Sequence, residues 1–265
     1  MIRFAVVGSG WRSEFYARIA KALPEQFEMV AWLCRSEEKM LRLQREYGLH
    51  TTMSEDEVIS LNPDFIVSAV NKTSMSDVVR YWAKKGIPVL SETPAALDLD
   101  TLGIMKQEIK EGLKIQVAEQ YFMEPGIKAM IDEINRGTIG EPVSVTMSAM
   151  HDYHAASVIR RVLKTGLSDV IITGKAFSVR VANTKTRYET LTDGRIVDKE
   201  EKHLVMEYAD GKVAFYDFMS EQYRSPIRNR YINVRGTRGE IINDTVYYLD
   251  ENNLGAVKKL EKDNI

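Results

Sequence analysis

The sequence predicts an α/β protein in two parts. A doubly wound parallel sheet occupies the first 119 residues, and an α+β part with a large, mostly antiparallel open sheet follows. Three observations lead there. Short, nearly all-apolar runs alternate with amphipathic stretches up to about residue 119, the pattern of strands buried on both faces and joined by right-handed helical crossovers. Beyond Pro125 most apolar runs follow one another with no helix between them. Asp193-Gly194 and Asp210-Gly211 punctuate these later runs, and Asp-Gly pairs favour the type I′ turns of antiparallel hairpins.

Each element has its own signal. Residues 2–7 (Ile-Arg-Phe-Ala-Val-Val) form a buried strand ended by Gly8. From Ser13 to Leu23, Phe15, Ile19, Ala22 and Leu23 share a helix face, and Pro24 ends it. A second strand over 27–34 leads into a polar helix from Ser36 to Tyr47, closed by Gly48. Ser54-Glu55-Asp56-Glu57 has the spacing of a capping box and predicts a short helix. A strand over 65–70 precedes a helix from Ser74 to Lys85, with Gly86 as its stop. Val89-Leu90, a helix from Asp100 to Glu111 and a strand over 115–118 complete the alternation.

The second part opens with a helix from Gly126 to Arg136, a strand over 142–150 and a helix from His154 to Lys164. Strands are then expected at 176–182, 204–208, 213–218, 230–234, 241–242 and 246–249. One face of that sheet has no helix to cover it, which predicts a homodimer or homotetramer formed through it; the structural alternative is an exposed polar sheet.

Composition narrows the function. With 265 residues, 44% of them hydrophobic, the chain can build two cores. Lys and Arg number 36 against 38 Asp and Glu, so no electrostatic footprint for nucleic acid or an anionic membrane exists. No run reaches the ~20 apolar residues of a membrane span. The partner expected is a small molecule. The single cysteine, Cys34, excludes an intramolecular disulfide framework, and the chain enters its first strand without a signal-peptide pattern, which predicts a cytoplasmic protein. The histidines, His50, His151, His154 and His203, show no zinc-ligand spacing, so no metal is expected.

The sharpest motif is Gly8-Ser9-Gly10-Trp11-Arg12-Ser13, a glycine turn between a strand and a helix. Such a turn aims backbone N–H groups and the positive end of the helix dipole at a phosphate or pyrophosphate. It predicts a dinucleotide on Gly8, Ser9, Gly10, Trp11 and Arg12; the structural alternative is a tight turn with no ligand. Ligands of such sheets lie at the carboxyl ends of strands, which adds Arg35, Ser36, Val70, Asn71, Glu92 and Thr93. NAD sites end the second strand with an acid for the ribose 2′-OH, whereas Cys34-Arg35-Ser36 offers a guanidinium suited to a 2′-phosphate. NADP is therefore expected, with NAD still open through Glu37 or Glu38.

The order of motifs resembles the glucose–fructose oxidoreductase, inositol dehydrogenase and MocA family. The carriers are the Gly8/Gly10 turn, 64–71, Gly86-Ile87-Pro88-Val89-Leu90-Ser91-Glu92-Thr93-Pro94, Gly137-Thr138-Ile139-Gly140 and Gly236-Thr237-Arg238-Gly239-Glu240. The resemblance implies a Rossmann dinucleotide-binding domain over 1–119 and a substrate and oligomerisation domain over 120–265. It also implies hydride transfer between a nicotinamide and a sugar-like or other small carbonyl or hydroxyl compound. Two departures concern the chemistry. Thr93 stands where the family's Glu-Lys-Pro signature has its lysine, although Pro94 still permits a cis bond. His154 takes the place of the family's catalytic histidine, but the aspartate expected four residues earlier falls on Met150.

These departures make His154 the expected acid/base, assisted by Asp152, with Tyr153 as an alternative acid. A helix-start histidine that only caps or packs is the structural alternative. Gln120, Tyr121 and His151 are the substrate-side candidates, against a reading in which Tyr121 and Phe122 pack the hinge. Arg224, Arg228, Arg230 and Arg235 would suit an anionic substrate, or mark a solvated face. Loss of the lysine also fits a second class, a non-catalytic NAD(P)-binding regulator or sensor.

Overall fold

The computed structural model describes residues 1–186 and 188–261. The chain divides into two compact units, the first Met1–Glu119 and the second from Gln120 onward.

The first unit holds β1 (Ile2–Val7), α1 (Trp11–Ala22), β2 (Phe27–Leu33), α2 (Glu37–Tyr47), β3 (Thr51–Thr52), α3 (Glu55–Ser60), β4 (Phe65–Ser68), α4 (Met75–Lys84), β5 (Val89–Ser91), α5 (Leu99–Lys110) and β6 (Ile115–Val117). Its six strands are all parallel, in the order β3-β2-β1-β4-β5-β6. Strand order reverses between β1 and β4, which makes a crevice outside their carboxyl ends. Both faces of the sheet are covered. Ala5, Ile66, Val79 and Trp82 pack in one core, and Phe4, Val6, Trp32 and Leu43 in another.

Local chemistry sets the boundaries. Gly10 is the extended N-cap of α1 (φ −93°, ψ 177°), so the helix begins at Trp11, two residues before Ser13. Ser36 caps α2 by accepting from the Lys39 N–H, and left-handed Gly48 ends it. The capping box is only half made. Ser54 Oγ accepts from the Glu57 N–H at 3.2 Å, but the Glu57 carboxylate turns to the Thr52 hydroxyl and to His50, and the Ser54 N–H bonds Thr52 Oγ1 instead. The Thr93–Pro94 bond is cis.

The second unit holds α6 (Pro125–Asn135), β7 (Pro142–Ser148), α7 (Asp152–Val162), β8 (Val170–Ala182), β9 (Ile196–Tyr208), β10 (Val213–Met219), β11 (Tyr231–Gly236), β12 (Gly239–Ile242), β13 (Thr245–Leu249) and β14 (Gly255–Lys259). One eight-stranded sheet runs β14-β13-β12-β11-β7-β10-β9-β8, antiparallel except for the β7/β10 pair. Met130, Ile134, Val158 and Val162 from α6 and α7 pack on its inner face against Val145, Met147, Tyr216 and Val234. Among the described residues no helix is long and apolar enough to cross a membrane.

Three expectations change here. β8 and β9 are 13 residues each and pair along their whole length, so strand extends well beyond the alternating segments because ladder hydrogen bonds do not require alternation. Asp193-Gly194 lies inside the 183–195 connection between them and is not a two-residue turn. Asp210-Gly211 does join β9 to β10, but through a three-residue loop: Gly211 alone is left-handed, and Tyr208 bonds both the Gly211 N–H and the Lys212 carbonyl, the arrangement of a type I turn with a glycine bulge.

Candidate functional site

The glycine turn is shaped by close packing. Gly8 sits at φ +119°, and a Cβ there would press on the Ala69 carbonyl oxygen and lie 2.8 Å from its carbon. The loop therefore runs against the end of β4 at the strand-order reversal, and only glycine fits. Trp32, fully buried on β2, donates its indole N–H to the Gly8 carbonyl at 2.7 Å. Ser13, buried, replaces the third small residue of the motif and donates Oγ–H to the Gly10 carbonyl at 2.5 Å. Gly10 contrasts with Gly8, since a Cβ there meets nothing within 4 Å. The space in front of Gly10 is open at the N-terminus of α1, whose Ser13 N–H bonds the Gly10 carbonyl at 3.0 Å. That opening fits a dinucleotide diphosphate.

Glu92 is committed elsewhere than expected. It is 6% exposed; one carboxylate oxygen accepts from Tyr16 at 2.6 Å, and the other lies 3.2 Å from Arg12 Nε. It therefore positions Arg12 beside the turn instead of standing open for a ligand. Burial, reinforced by the Glu92 charge, pushes the Tyr16 hydroxyl far above its ordinary range, so it remains a donor. Asn71 turns its side-chain oxygen to the Ser74 N–H at 3.0 Å, leaving its amide N–H₂ as the free end. Thr93 follows Glu92, half-buried. Arg35 is exposed at the end of β2, without an ion pair to any described residue, beside Ser36. Burial raises the Cys34 thiol, which makes that cysteine a packing residue.

In the second unit α7 begins at Asp152, two residues earlier than expected, with His151 as its N-cap. Asp152 has a left-handed backbone (φ +34°), a conformation costing about 1 kcal/mol or more for a non-glycine residue. Its N–H is held by the Tyr216 hydroxyl at 3.0 Å, and burial pushes that hydroxyl up to about 12. The turn gathers rings. His154, 5% exposed, has Tyr121 at 4.5 Å, His151 at 4.7 Å and Tyr153 at 4.4 Å between ring centroids. Glu124 lies within electrostatic reach of His154 and Arg230.

The structure thus brings together His151, Tyr153, His154 and Tyr121 in one cluster. The expected assistance from Asp152 is corrected: its carboxylate pairs with Lys202 on β9 at 3.0 Å and is half-exposed, because the left-handed start of α7 turns it toward the sheet. Gln120 precedes the cluster on an exposed turn. Sequence reading missed Tyr16 and Trp32 at the turn, and Tyr223 and Glu124 at the ring cluster. Their only sequence signal is residue type, because the contacts join segments distant in the chain.

Residues 2–119 match the GFO/IDH/MocA family model, an oxidoreductase family with an NAD-binding Rossmann fold. An L-aspartate dehydrogenase of Methanococcus maripaludis is 29% identical over 160 residues, 58% of this chain. The match spans 57% of that relative's length. Among solved structures, an oxidoreductase from Agrobacterium radiobacter in complex with NAD+, L-tartaric acid and magnesium has a TM-score of 0.73 at 16% identity, over 99% of this chain and 80% of that one. An NAD binding oxidoreductase from Klebsiella pneumoniae has a TM-score of 0.72 at 15% identity, over 98% and 80%. At those identities the likeness concerns the fold.

Proposed function

We propose that this protein is a nicotinamide-dependent dehydrogenase or reductase of a small carbonyl or hydroxyl compound, with a preference for NADP. The observation that carries the catalytic half is the buried His154, enclosed by Tyr121, His151 and Tyr153. An imidazole is the side chain whose ordinary chemistry takes and gives a proton near neutral pH. A bound nicotinamide dinucleotide supplies the acceptor or donor of hydride. Gly8, Ser9, Gly10, Trp11 and Arg12 would hold its diphosphate, Arg35 and Ser36 its adenosine ribose, and Val70, Asn71 and Thr93 the nicotinamide half. Thr93 carries no charge, so the proton falls to the ring cluster. The name of the Methanococcus relative widens the candidate substrates to amino acids.

The test is direct. Purified protein is titrated with NADPH and NADH by calorimetry and assayed on a panel of sugars, polyols, hydroxy acids and amino acids. Tighter NADPH binding is expected, and His154→Ala is expected to keep that binding while losing turnover. Full turnover in His154→Ala overturns the assignment. Nucleotide binding without turnover on any compound favours the sensor reading, which the uncharged Thr93 supports. We also propose self-association through the uncovered sheet face, where Phe215 and Tyr247 are 46% and 43% exposed; sedimentation as a monomer at micromolar concentration would exclude it.

A further inference from the structure

Tyr223 lies 72 residues from His151 in sequence, yet its hydroxyl meets that residue twice. The His151 backbone N–H donates to it at 3.0 Å, and the ring Nδ1 lies 2.6 Å away. The tyrosine ring is fixed edge-on against Phe218, with centroids 5.0 Å apart, and carries the Arg230 guanidinium over its face at 5.3 Å. Tyr121 is the further polar group beside its hydroxyl, close enough to raise its titration. The groups facing the His151 ring include Tyr153 and His154 from α7, Phe218 from β10, Tyr223 from the turn at 220–223, and, through Tyr223, Tyr121 and Arg230.

A phenol hydroxyl offers one proton and two acceptor positions. The backbone N–H occupies one acceptor position throughout. The other two valences are shared between Nδ1 and Tyr121, and two arrangements satisfy the Tyr223 hydroxyl. In the first, Tyr223 donates to an unprotonated Nδ1 and accepts from Tyr121. In the second, Nδ1–H donates to Tyr223, which donates to Tyr121. Gain or loss of the Nδ1 proton, with reorientation of the hydroxyls, interconverts them, so both tautomers of His151 and its doubly protonated form are bonded at Nδ1.

We propose that His151 and Tyr223 form a proton relay in which His151 takes a proton at Nε2 and releases one from Nδ1. The Nε2–H bond forms as the Nδ1–H bond breaks; the Tyr223 oxygen gains that proton and passes its own to Tyr121, which gives one to water. No protein group keeps a net charge; the proton leaves with the solvent. Burial and Tyr121 hold the Tyr223 hydroxyl well above its ordinary range, so it serves as a neutral carrier. Tyr223 is then the positioning residue of His151. What the proton serves rests on the function proposed above; the coupling itself does not.

The experiment is Tyr223→Phe, which keeps the ring that packs on Phe218. The imidazole resonances of His151, assigned by their loss in His151→Gln, are followed by nitrogen NMR against pH in the full chain without nucleotide. Tyr223→Phe is expected to change the tautomer balance and move the His151 midpoint by about half a pH unit or more. It should also lower kcat about 10- to 100-fold while the NADPH dissociation constant stays within about twofold. An unchanged His151 titration overturns the relay whether or not turnover is found, and so does full kcat in Tyr223→Phe. Absence of nucleotide-linked turnover together with a shifted midpoint instead removes the proposed function and leaves the coupling standing. Tyr121→Phe, which cuts the far end, should lower kcat while leaving the Nδ1–Tyr223 bond and its tautomer signature in place.

Discussion

Gly8 and Gly10 stand two residues apart in one motif, yet alanine at each should fail for a different reason. At Gly8 an alanine must adopt φ +119° and press its Cβ on the Ala69 carbonyl, 2.8 Å from the carbon and 3.2 Å from the Val70 nitrogen. The backbone strain costs about 1–3 kcal/mol, and displacing backbone in a packed core costs about 1–3 kcal/mol more. A loss of about 4 kcal/mol is a large part of a typical total of 5–15 kcal/mol. At about 2–4 °C per kcal/mol, the melting temperature should fall by about 8–16 °C. At Gly10 the backbone is extended and the added Cβ meets nothing within 4 Å. Replacing an N-cap glycine by alanine then costs about 0.5–1 kcal/mol. The new methyl occupies the open space before the first turn of α1, so dinucleotide affinity should fall about tenfold or more, 1.4 kcal/mol. Thermal melts and calorimetric titration of both variants separate the effects. A Gly8→Ala protein melting within about 2 °C of the parent, or a Gly10→Ala protein binding nucleotide as tightly as the parent, refutes this account of the turn.

Two further outcomes follow from single side chains. Glu108 on α5 accepts from Nε and Nη2 of Arg80 at 2.7 and 2.8 Å and from Lys84 at 2.8 Å, which holds its carboxyl down at about 2 against an ordinary 4.5. A depressed carboxylate stabilises the fold above the unfolded value and loses that contribution as pH falls from about 4.5 to 2. The full shift corresponds to about 3.4 kcal/mol, and half-exposed Lys84 reduces the expected contribution to about 1–2 kcal/mol. Urea unfolding should show Glu108→Gln less stable than the parent at pH 7, with the gap narrowing below about pH 4.5 and closing near pH 2; a constant gap counts against the pairing. Arg35→Ala should weaken NADPH binding about tenfold and leave NADH unchanged, and equal losses for both nucleotides would remove the 2′-phosphate role.

Much of the first unit was legible because its information is local. The apolar strand runs, the caps at Ser36 and Ser54 and the stops at Gly48 and Gly86 each act within a few residues. The second unit was harder. Its long strands, β8 and β9, show weak alternation and find their length by pairing, and β14 is a charged edge segment whose strand state comes from β13. The start of α7 was misplaced because Asp152 takes a left-handed backbone, held by a tyrosine 64 residues away.

The sequence by itself determined the parallel sheet, the glycine turn and the histidine pair, since hydrophobic period, glycine and imidazole act through their own chemistry wherever they stand. Only the tertiary structure decided what those groups touch. It committed Glu92 to Arg12 and Tyr16, gave the Asp152 carboxylate to Lys202, and set Tyr223 on His151. Hydrogen-bond partners are chosen by distances of about 3 Å between segments far apart in the chain, and those distances exist only once the sheets and helices have packed.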